Sequence, residues 1–91
     1  MPHIIQHDAE RGRFETTVEG RLCVSDYHLV DRVMRMTHTH VPGPLEGRGI
    51  AAELVAAALD YAKKNDFRVD PICSYVRRYM SRHPETQSLL V

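Results

Sequence analysis

The part of this sequence best suited to hold a phosphate is a short glycine loop near its middle. Residues 38–41 read HTHV, two prolines follow, and Gly47-Arg48-Gly49 then leads into a segment rich in Ala, Leu and Val. The first turn of a helix carries unpaired backbone N–H groups and partial positive charge. Glycines would let a diphosphate approach those groups closely, and Arg48 could add a side-chain charge. The dinucleotide pattern GxGxxG and the P-loop pattern are both absent, so the loop alone also fits an ordinary turn.

Cysteine and histidine side chains elsewhere in the chain offer nucleophilic and acid–base chemistry. Cys73 stands at the predicted start of a second helix, where the pKa of a thiol can be lowered, and Ser74 could cap that helix. His38 could take a proton near neutral pH. Both also have ordinary interpretations, because cysteines are commonly buried as small apolar residues and strand histidines often belong to a partial core. His38 and His40 form half of a possible metal site, but no third ligand is placed by spacing, so we predict no metal.

The composition is that of a single globular domain. The 91 residues form one domain, residues 1–91, and 12 basic side chains balance 12 acidic ones. The net charge of zero therefore gives no argument for binding to nucleic acid or to a membrane. Basic residues nevertheless predominate between residues 63 and 83, which indicates either a solvated helical face or a local site for an anion.

The absence of a membrane span or signal peptide, together with the placement of the cysteines, favours the cytoplasm. The sequence has no run of roughly 18 apolar residues, and its N-terminal segment lacks the regions of a signal peptide. Cys23 and Cys73 lie far apart and in no CxxC pattern, which indicates neither a disulfide scaffold nor a structural zinc site. We therefore expect a reduced, cytoplasmic setting with no membrane partner.

The elements that must position these residues predict an α+β fold. Alternation of apolar and polar residues predicts four strands, of which the last three are joined by short links into an antiparallel meander. They cover residues 3–8, 13–18, 21–30 and 32–41. Helices at 48–64 and roughly 73–82 follow, with a short strand at 67–71 between them. This order favours parallel pairing of 32–41 with 67–71 through a right-handed crossover, and hence a mixed, mostly antiparallel sheet with packed helices.

Periodicity within these elements predicts which side chains are buried. In the first helix one apolar stripe is formed by Ile50, Leu54, Val55, Ala58, Leu59 and Ala62. In the strand at 32–41, alternation places Met34, Met36, His38 and His40 on one face. Because this strand and the one at 67–71 should be neighbours, His38 and Cys73 are expected to face one cleft.

The glycine loop and its flanks resemble the coenzyme-A-binding motif of the GNAT-type N-acetyltransferase superfamily. In that motif a strand ends in a splayed pair, and a loop of the pattern Gln/Arg-x-x-Gly-x-Gly/Ala opens a helix. Gly49 and Ala51 match the pattern here, whereas Glu46 stands where it has Gln or Arg. Two further segments, PICSYVRRYMSRHPE and the closing SLLV, extend the resemblance over residues 11–91 to a small, compact branch of the superfamily. The resemblance implies a minimal GNAT-like fold without the long N-terminal helices and final strands of larger relatives.

The resemblance also implies where coenzyme A would bind. The pantetheine arm would lie in the splay between the parallel strands, and the pyrophosphate would lie on the N–H groups of residues 47–52. Arg78 and Arg82 would lie towards the nucleotide end, unless they simply face solvent. The implied coenzyme-binding residues are Thr39, His40, Val41, Gly47, Arg48, Gly49, Ile50, Ala51, Ala52, Ser74 and Arg78.

The activity that the resemblance implies is transfer of an acetyl group from acetyl-CoA to an amine, with Cys73, His38 and Tyr79 as catalytic residues. In the superfamily's usual direct route, His38 would accept the amine proton and Tyr79 or Tyr75 would protonate the leaving thiolate. In the other route Cys73 is acetylated first and passes the group on. The acceptor would be a small amine such as a polyamine, a peptide terminus or a lysine.

Two other functions compete with this prediction. The first is a non-catalytic module that binds or senses acyl-CoA in the same cleft. The second is a nucleic-acid-binding domain that uses the basic segment at 63–83. The zero net charge and the absence of a recognised binding motif argue against it.

Overall fold

The computed structural model describes residues 3–91, which fold into five strands, two α-helices and two short 3₁₀ helices. The strands are β1 (Gln6–Asp8), β2 (Arg13–Val18), β3 (Arg21–Val30), β4 (Val33–His40) and β5 (Arg68–Pro71), and the helices are α1 (Ile50–Lys64) and α2 (Ser74–Arg82). The 3₁₀ helices are Gly43–Leu45 and Pro84–Leu89. Over this part of the chain no helix is both long and apolar enough to cross a membrane.

The strands form one mixed sheet in the order β1-β2-β3-β4-β5. The first three pairs are antiparallel, and β4 and β5 are parallel. The predicted α+β architecture is therefore confirmed, including the parallel pair on either side of α1. The first strand is shorter than predicted, because residues 3–5 lie outside the sheet.

Two tight turns set the meander. Glu19 and Gly20 both have positive φ, 51° and 75°, as the turns that match strand twist require. Asp31 and Arg32 also have positive φ, 48° and 66°, without a glycine. The Arg32 guanidinium donates hydrogen bonds to the carbonyls of residues 65 and 66 at 2.8 and 3.2 Å, so the β3–β4 turn is tied to the loop after α1.

A β-bulge interrupts β4 at Thr37. Consecutive residues of β3 pair with His38 and with Met36, so Thr37 has no partner of its own in the register. An extra residue in one strand reverses the side-chain alternation beyond it. Met36 therefore faces the core, and after the bulge Thr39 takes that face, while His38 and His40 turn to the other side.

The predicted common face for Met34, Met36, His38 and His40 is therefore wrong for the two histidines. The methionines are 0% and 1% exposed, whereas both histidines are exposed to solvent. Sequence alternation alone could not locate the extra residue, because a bulge is defined by the partner strand.

One core lies between the sheet and its helices. The predicted stripe of α1 is confirmed, since its buried residues are Ile50, Leu54, Val55, Ala58, Leu59 and Ala62. Val76 and Met80 of α2 join the same cluster, together with inward side chains of β2 to β5. Both helices therefore bury their apolar sides in the same core, and each begins at the edge of the sheet where β4 or β5 ends.

Candidate active site

A cleft of about 440 Å³ opens between the end of β4 and the start of α1. Its lining residues are Thr39, His40, Val41, Leu45, Glu46, Gly47, Gly49, Ile50, Ala51, Ala52 and Tyr75. Most of the implied coenzyme-binding residues thus line a single cavity. Arg48, Ser74 and Arg78 do not line it.

The glycine loop presents backbone rather than side chains to this cleft. Gly47 and Gly49 have φ of 83° and 79°, in the left-handed region that favours glycine. Gly49 is the N-cap of α1 and provides no side-chain cap, and the first helical bond to it comes from the Glu53 N–H at 3.1 Å. The N–H groups of the first turn are therefore left for an anion.

Glu46 and Arg48 lie on either side of Gly47 but differ in their contacts. Glu46, the acidic departure from the superfamily pattern, lines the cleft and is exposed. The Arg48 guanidinium instead donates a 2.5 Å hydrogen bond to the Glu19 carboxylate in the β2–β3 turn. This bond lowers the pKa of Glu19 below its ordinary value. Arg48 thus ties the loop to the sheet, and its side chain is engaged outside the cleft.

The parallel strands separate where the cleft begins. Their register ends with Met36 opposite Pro71, and the Cys73 N–H then donates to the Met36 carbonyl at 2.9 Å. Beyond that point β4 continues to His40 against β3 alone, within the described part of the chain. Because the backbone groups of successive strand residues point to opposite sides, Thr39 presents its backbone to this gap, next to the Cys73 thiol, and His40 presents its backbone to β3.

Cys73 lies across this gap from Thr39, with 3.6 Å between Sγ and the threonine Oγ1. It is the N-cap of α2, so the prediction that Ser74 caps the helix is wrong; Ser74 is the first helical residue. The thiol makes no full capping hydrogen bond, but the N–H groups of Tyr75 and Val76 in the first turn lie close to it. Burial raises the pKa of Cys73, but the nearby N–H groups of Val76 and Tyr75, together with Thr39, favour the thiolate and lower the pKa below its ordinary value.

His38 does not face this thiol. Its partner in the register is Asp26, on the face opposite Thr39, and its ring stacks with that of His40 at a centroid distance of 6.1 Å. The predicted cleft shared by His38 and Cys73 is therefore wrong, because the bulge at Thr37 reverses the side chains beyond it. Thr39 takes the place beside Cys73 that was expected for His38.

Comparison with known proteins identifies the family of this chain. A sequence model of the GCN5-related N-acetyl-transferase family matches residues 13–89. The chain belongs to this acetyltransferase family. Protein NATD1 of Mus musculus is 32% identical over 91 aligned residues, which cover 97% of this chain and 83% of the mouse protein. Protein NATD1 of Danio rerio is 30% identical over 88 residues, covering 93% of this chain and 80% of the fish protein.

A solved structure shows the same fold. The NMR solution structure of a GCN5-like protein from Staphylococcus aureus matches with a TM-score of 0.77 and 21% identity, covering 97% of this chain and 87% of that one. The GNAT-like fold implied by the glycine loop is thus confirmed.

Two tyrosines of this acetyltransferase-family chain differ in their access to the main cleft. Tyr75 lines both the main cleft and an adjoining cavity of about 140 Å³, whereas Tyr79 lines the adjoining cavity but not the main cleft. Burial raises the pKa of Tyr75, against the opposing effect of Arg82 and Arg78, and burial followed by Glu85 raises the pKa of Tyr79. Both phenols therefore keep their protons at neutral pH, but Tyr75 is the one placed beside the main cleft.

Leu45 is a lining residue that sequence reasoning missed. It lies in the short 3₁₀ helix Gly43–Leu45, is 0% exposed, and belongs to both the core and the cleft wall. The detectable signal was a single large apolar residue in an otherwise polar Pro/Gly loop. Such a residue anchors the loop and thereby fixes the position of Gly47.

Proposed function

We propose that this protein is an acetyl-CoA-dependent N-acetyltransferase that moves the acetyl group to an amine. The observation that carries the proposal is the cleft itself. An uncapped helix start with two left-handed glycines stands at one end, and a cysteine with a lowered pKa stands beside Thr39 at the strand gap. Family membership supports the same class of reaction.

Binding of acetyl-CoA as a substrate would use mainly backbone groups. The N–H groups of Ile50, Ala51 and Ala52 would bind the diphosphate, for which the glycine loop leaves open space. The free edge of β4 at Thr39 would bind an amide group of the pantetheine arm as an added strand does. The thioester would then lie towards the gap between the strands, where Cys73 stands.

We assign the first chemical step to Cys73, because His38 is not available on this side of the sheet. The Cys73 thiolate attacks the thioester carbonyl, a bond forms between Sγ and the acetyl carbon, and the bond to the coenzyme sulfur breaks. Tyr75 gives its proton to the departing thiolate. The amine nitrogen then attacks the acetyl carbon, the bond to Sγ breaks, and the proton from nitrogen passes through water to restore Tyr75.

The experiment is a titration with acetyl-CoA followed by turnover with an amine panel that includes polyamines, a peptide terminus and a lysine side chain. We expect NMR shifts in residues 39–52 and around Cys73, and acetylation of at least one amine class. Shifts without turnover would identify the non-catalytic acyl-CoA module instead. The absence of binding at millimolar acetyl-CoA, seen as no NMR shifts and no rise in thermal stability, would refute both the enzyme and the non-catalytic module. A ligand that binds only the native state must stabilise that state.

The two cysteines provide a matched test of the covalent route. Cys73→Ala should abolish turnover but not coenzyme binding. In the wild-type protein, an acetyl group should accumulate on Cys73 when acetyl-CoA is added without an amine. Cys23 is 0% exposed and burial raises the pKa of its thiol, so Cys23→Ala should leave turnover intact. Full turnover by Cys73→Ala would mean that the amine attacks the thioester directly.

A further inference from the structure

The small cavity beside the main cleft is lined by two arginines, Arg78 and Arg82. Its volume is about 140 Å³, and its lining residues are Ala52, Tyr75, Arg78, Tyr79, Arg82 and His83. A water molecule occupies about 30 Å³ of liquid, so the cavity has room for about five waters. That space suits a phosphate group and is too small for a whole nucleoside.

Arg78 and Arg82 stand one helical turn apart on α2, so their like charges repel each other. Within residues 3–91 neither guanidinium has a carboxylate within 4.0 Å or a hydrogen-bond partner, whereas Arg13 and Arg48 each pair with an acid. An unneutralised pair around a cavity is unfavourable in the free protein and becomes favourable when a dianion lies between the two charges.

The other polar groups near the cavity do not neutralise the two arginines. His83 stacks on Tyr79 with 4.1 Å between ring centroids, and its Nδ1 lies 3.4 Å from the Glu85 carboxylate. Glu85 therefore contacts His83 and is not within ion-pair distance of either arginine. The stacked pair closes one side of the cavity with aromatic surface.

The cavity is also joined to the proposed coenzyme site. Ala52 and Tyr75 line both cavities, and Ala52 contributes one of the N–H groups assigned above to the diphosphate. In coenzyme A, one ribose separates the diphosphate from the 3′-phosphate. A wall shared through Ala52 and Tyr75 is compatible with that spacing.

We infer that this cavity binds the ribose 3′-phosphate of coenzyme A through Arg78 and Arg82, and that it makes the protein selective for coenzyme A over its 3′-dephospho form. The inference rests on the proposed function, because it assumes that the diphosphate lies on the start of α1. It assigns Arg82 a role in selectivity, and it separates the two arginines from the reacting end of the cleft.

Calorimetric titration with CoA and with 3′-dephospho-CoA tests this inference without any turnover. The wild-type chain should bind CoA about tenfold or more tightly than dephospho-CoA, as one charge-assisted phosphate contact gives. Arg82→Ala should lose most of that preference and keep its affinity for dephospho-CoA within about twofold. Arg82→Lys, which keeps the charge, should retain part of the preference.

Arg11→Ala is the matched control, because it removes a positive charge from the β1–β2 turn, which lines neither cavity. It should keep the wild-type preference. Equal affinity of the wild type for both ligands would overturn the phosphate subsite and leave the coenzyme site standing. So would an Arg82→Ala variant that weakens both ligands alike, since that would indicate altered helix packing. Failure of the wild type to bind either ligand would overturn the proposed function itself.

Discussion

Replacing Gly49 by alanine should weaken coenzyme binding far more than it weakens the fold. Gly49 has φ of 79°, lines the cleft and caps α1, and a Cβ built there meets no atom within 4 Å. Gly20 offers an unusually close control. Its φ is 75°, its Cβ would also meet nothing within 4 Å, and it stands in the β2–β3 turn outside the cleft.

The stability cost should be the same at both glycines. An L-residue in the left-handed region costs about 1–2 kcal/mol. Loss of chain entropy in the unfolded state offsets roughly 0.4–1 kcal/mol of that. A net cost of about 1 kcal/mol remains, which lowers the Tm of a domain this size by about 4–8 °C.

Only Gly49→Ala should affect the ligand. A hydrogen bond from backbone N–H to a phosphate oxygen contributes about 1.5–3 kcal/mol. Loss of one such bond lowers affinity about tenfold to a hundredfold. Thermal unfolding and calorimetric titration with CoA measure the two effects separately. Equal CoA affinity in the Gly49→Ala and Gly20→Ala variants would refute the assignment of the glycine loop to the diphosphate.

Three further substitutions test other parts of the structure. Gly12→Ala should lower the free energy of unfolding, measured in urea, by about 2–5 kcal/mol. The added Cβ would lie 2.3 Å from the Tyr27 carbonyl oxygen, and the backbone there has a φ of 66°, which L-residues rarely adopt. A loss under about 1 kcal/mol would contradict this. Thr39→Val should raise the pKa of Cys73, so the pH profile of Cys73 alkylation should shift to higher pH; an unchanged profile would show that the hydroxyl contributes nothing. Glu46→Gln should bind CoA about threefold to tenfold more tightly at low salt and lose that gain as salt rises, whereas weaker binding would place the carboxylate away from the phosphates.

Local patterns predicted the elements well because their causes are local. The bounds of β2 and β3 follow from alternation between turn residues, and both strands match the predicted 13–18 and 21–30. The buried stripe of α1 was also predicted residue by residue, since a helical period of 3.6 needs no knowledge of the partner surface. The position of the cleft followed from the resemblance of the glycine loop.

Contacts between distant segments could not be predicted in the same way. The bulge at Thr37 depends on how β4 pairs with β3, and it decides that Thr39 rather than His38 stands beside Cys73. The pairing of Arg48 with Glu19 likewise joins residues far apart in the sequence. The residue pattern of one segment cannot predict the bulge or the Arg48–Glu19 pair, because each depends on the relative position of two segments.

The parallel pair of strands explains why the N-termini of the two helices lie close to each other. Because β4 and β5 run in the same direction, their carboxyl ends lie at the same edge of the sheet, and each is followed by a helix. The N-termini of α1 and α2 therefore converge, and both favour negative charge. At α1 the glycines leave that end open to an external anion, whereas at α2 the N-cap is Cys73, whose pKa is lowered below its ordinary value. Under the proposed function, the same helix-end electrostatics would favour a bound phosphate at α1 and the thiolate form of Cys73 at α2.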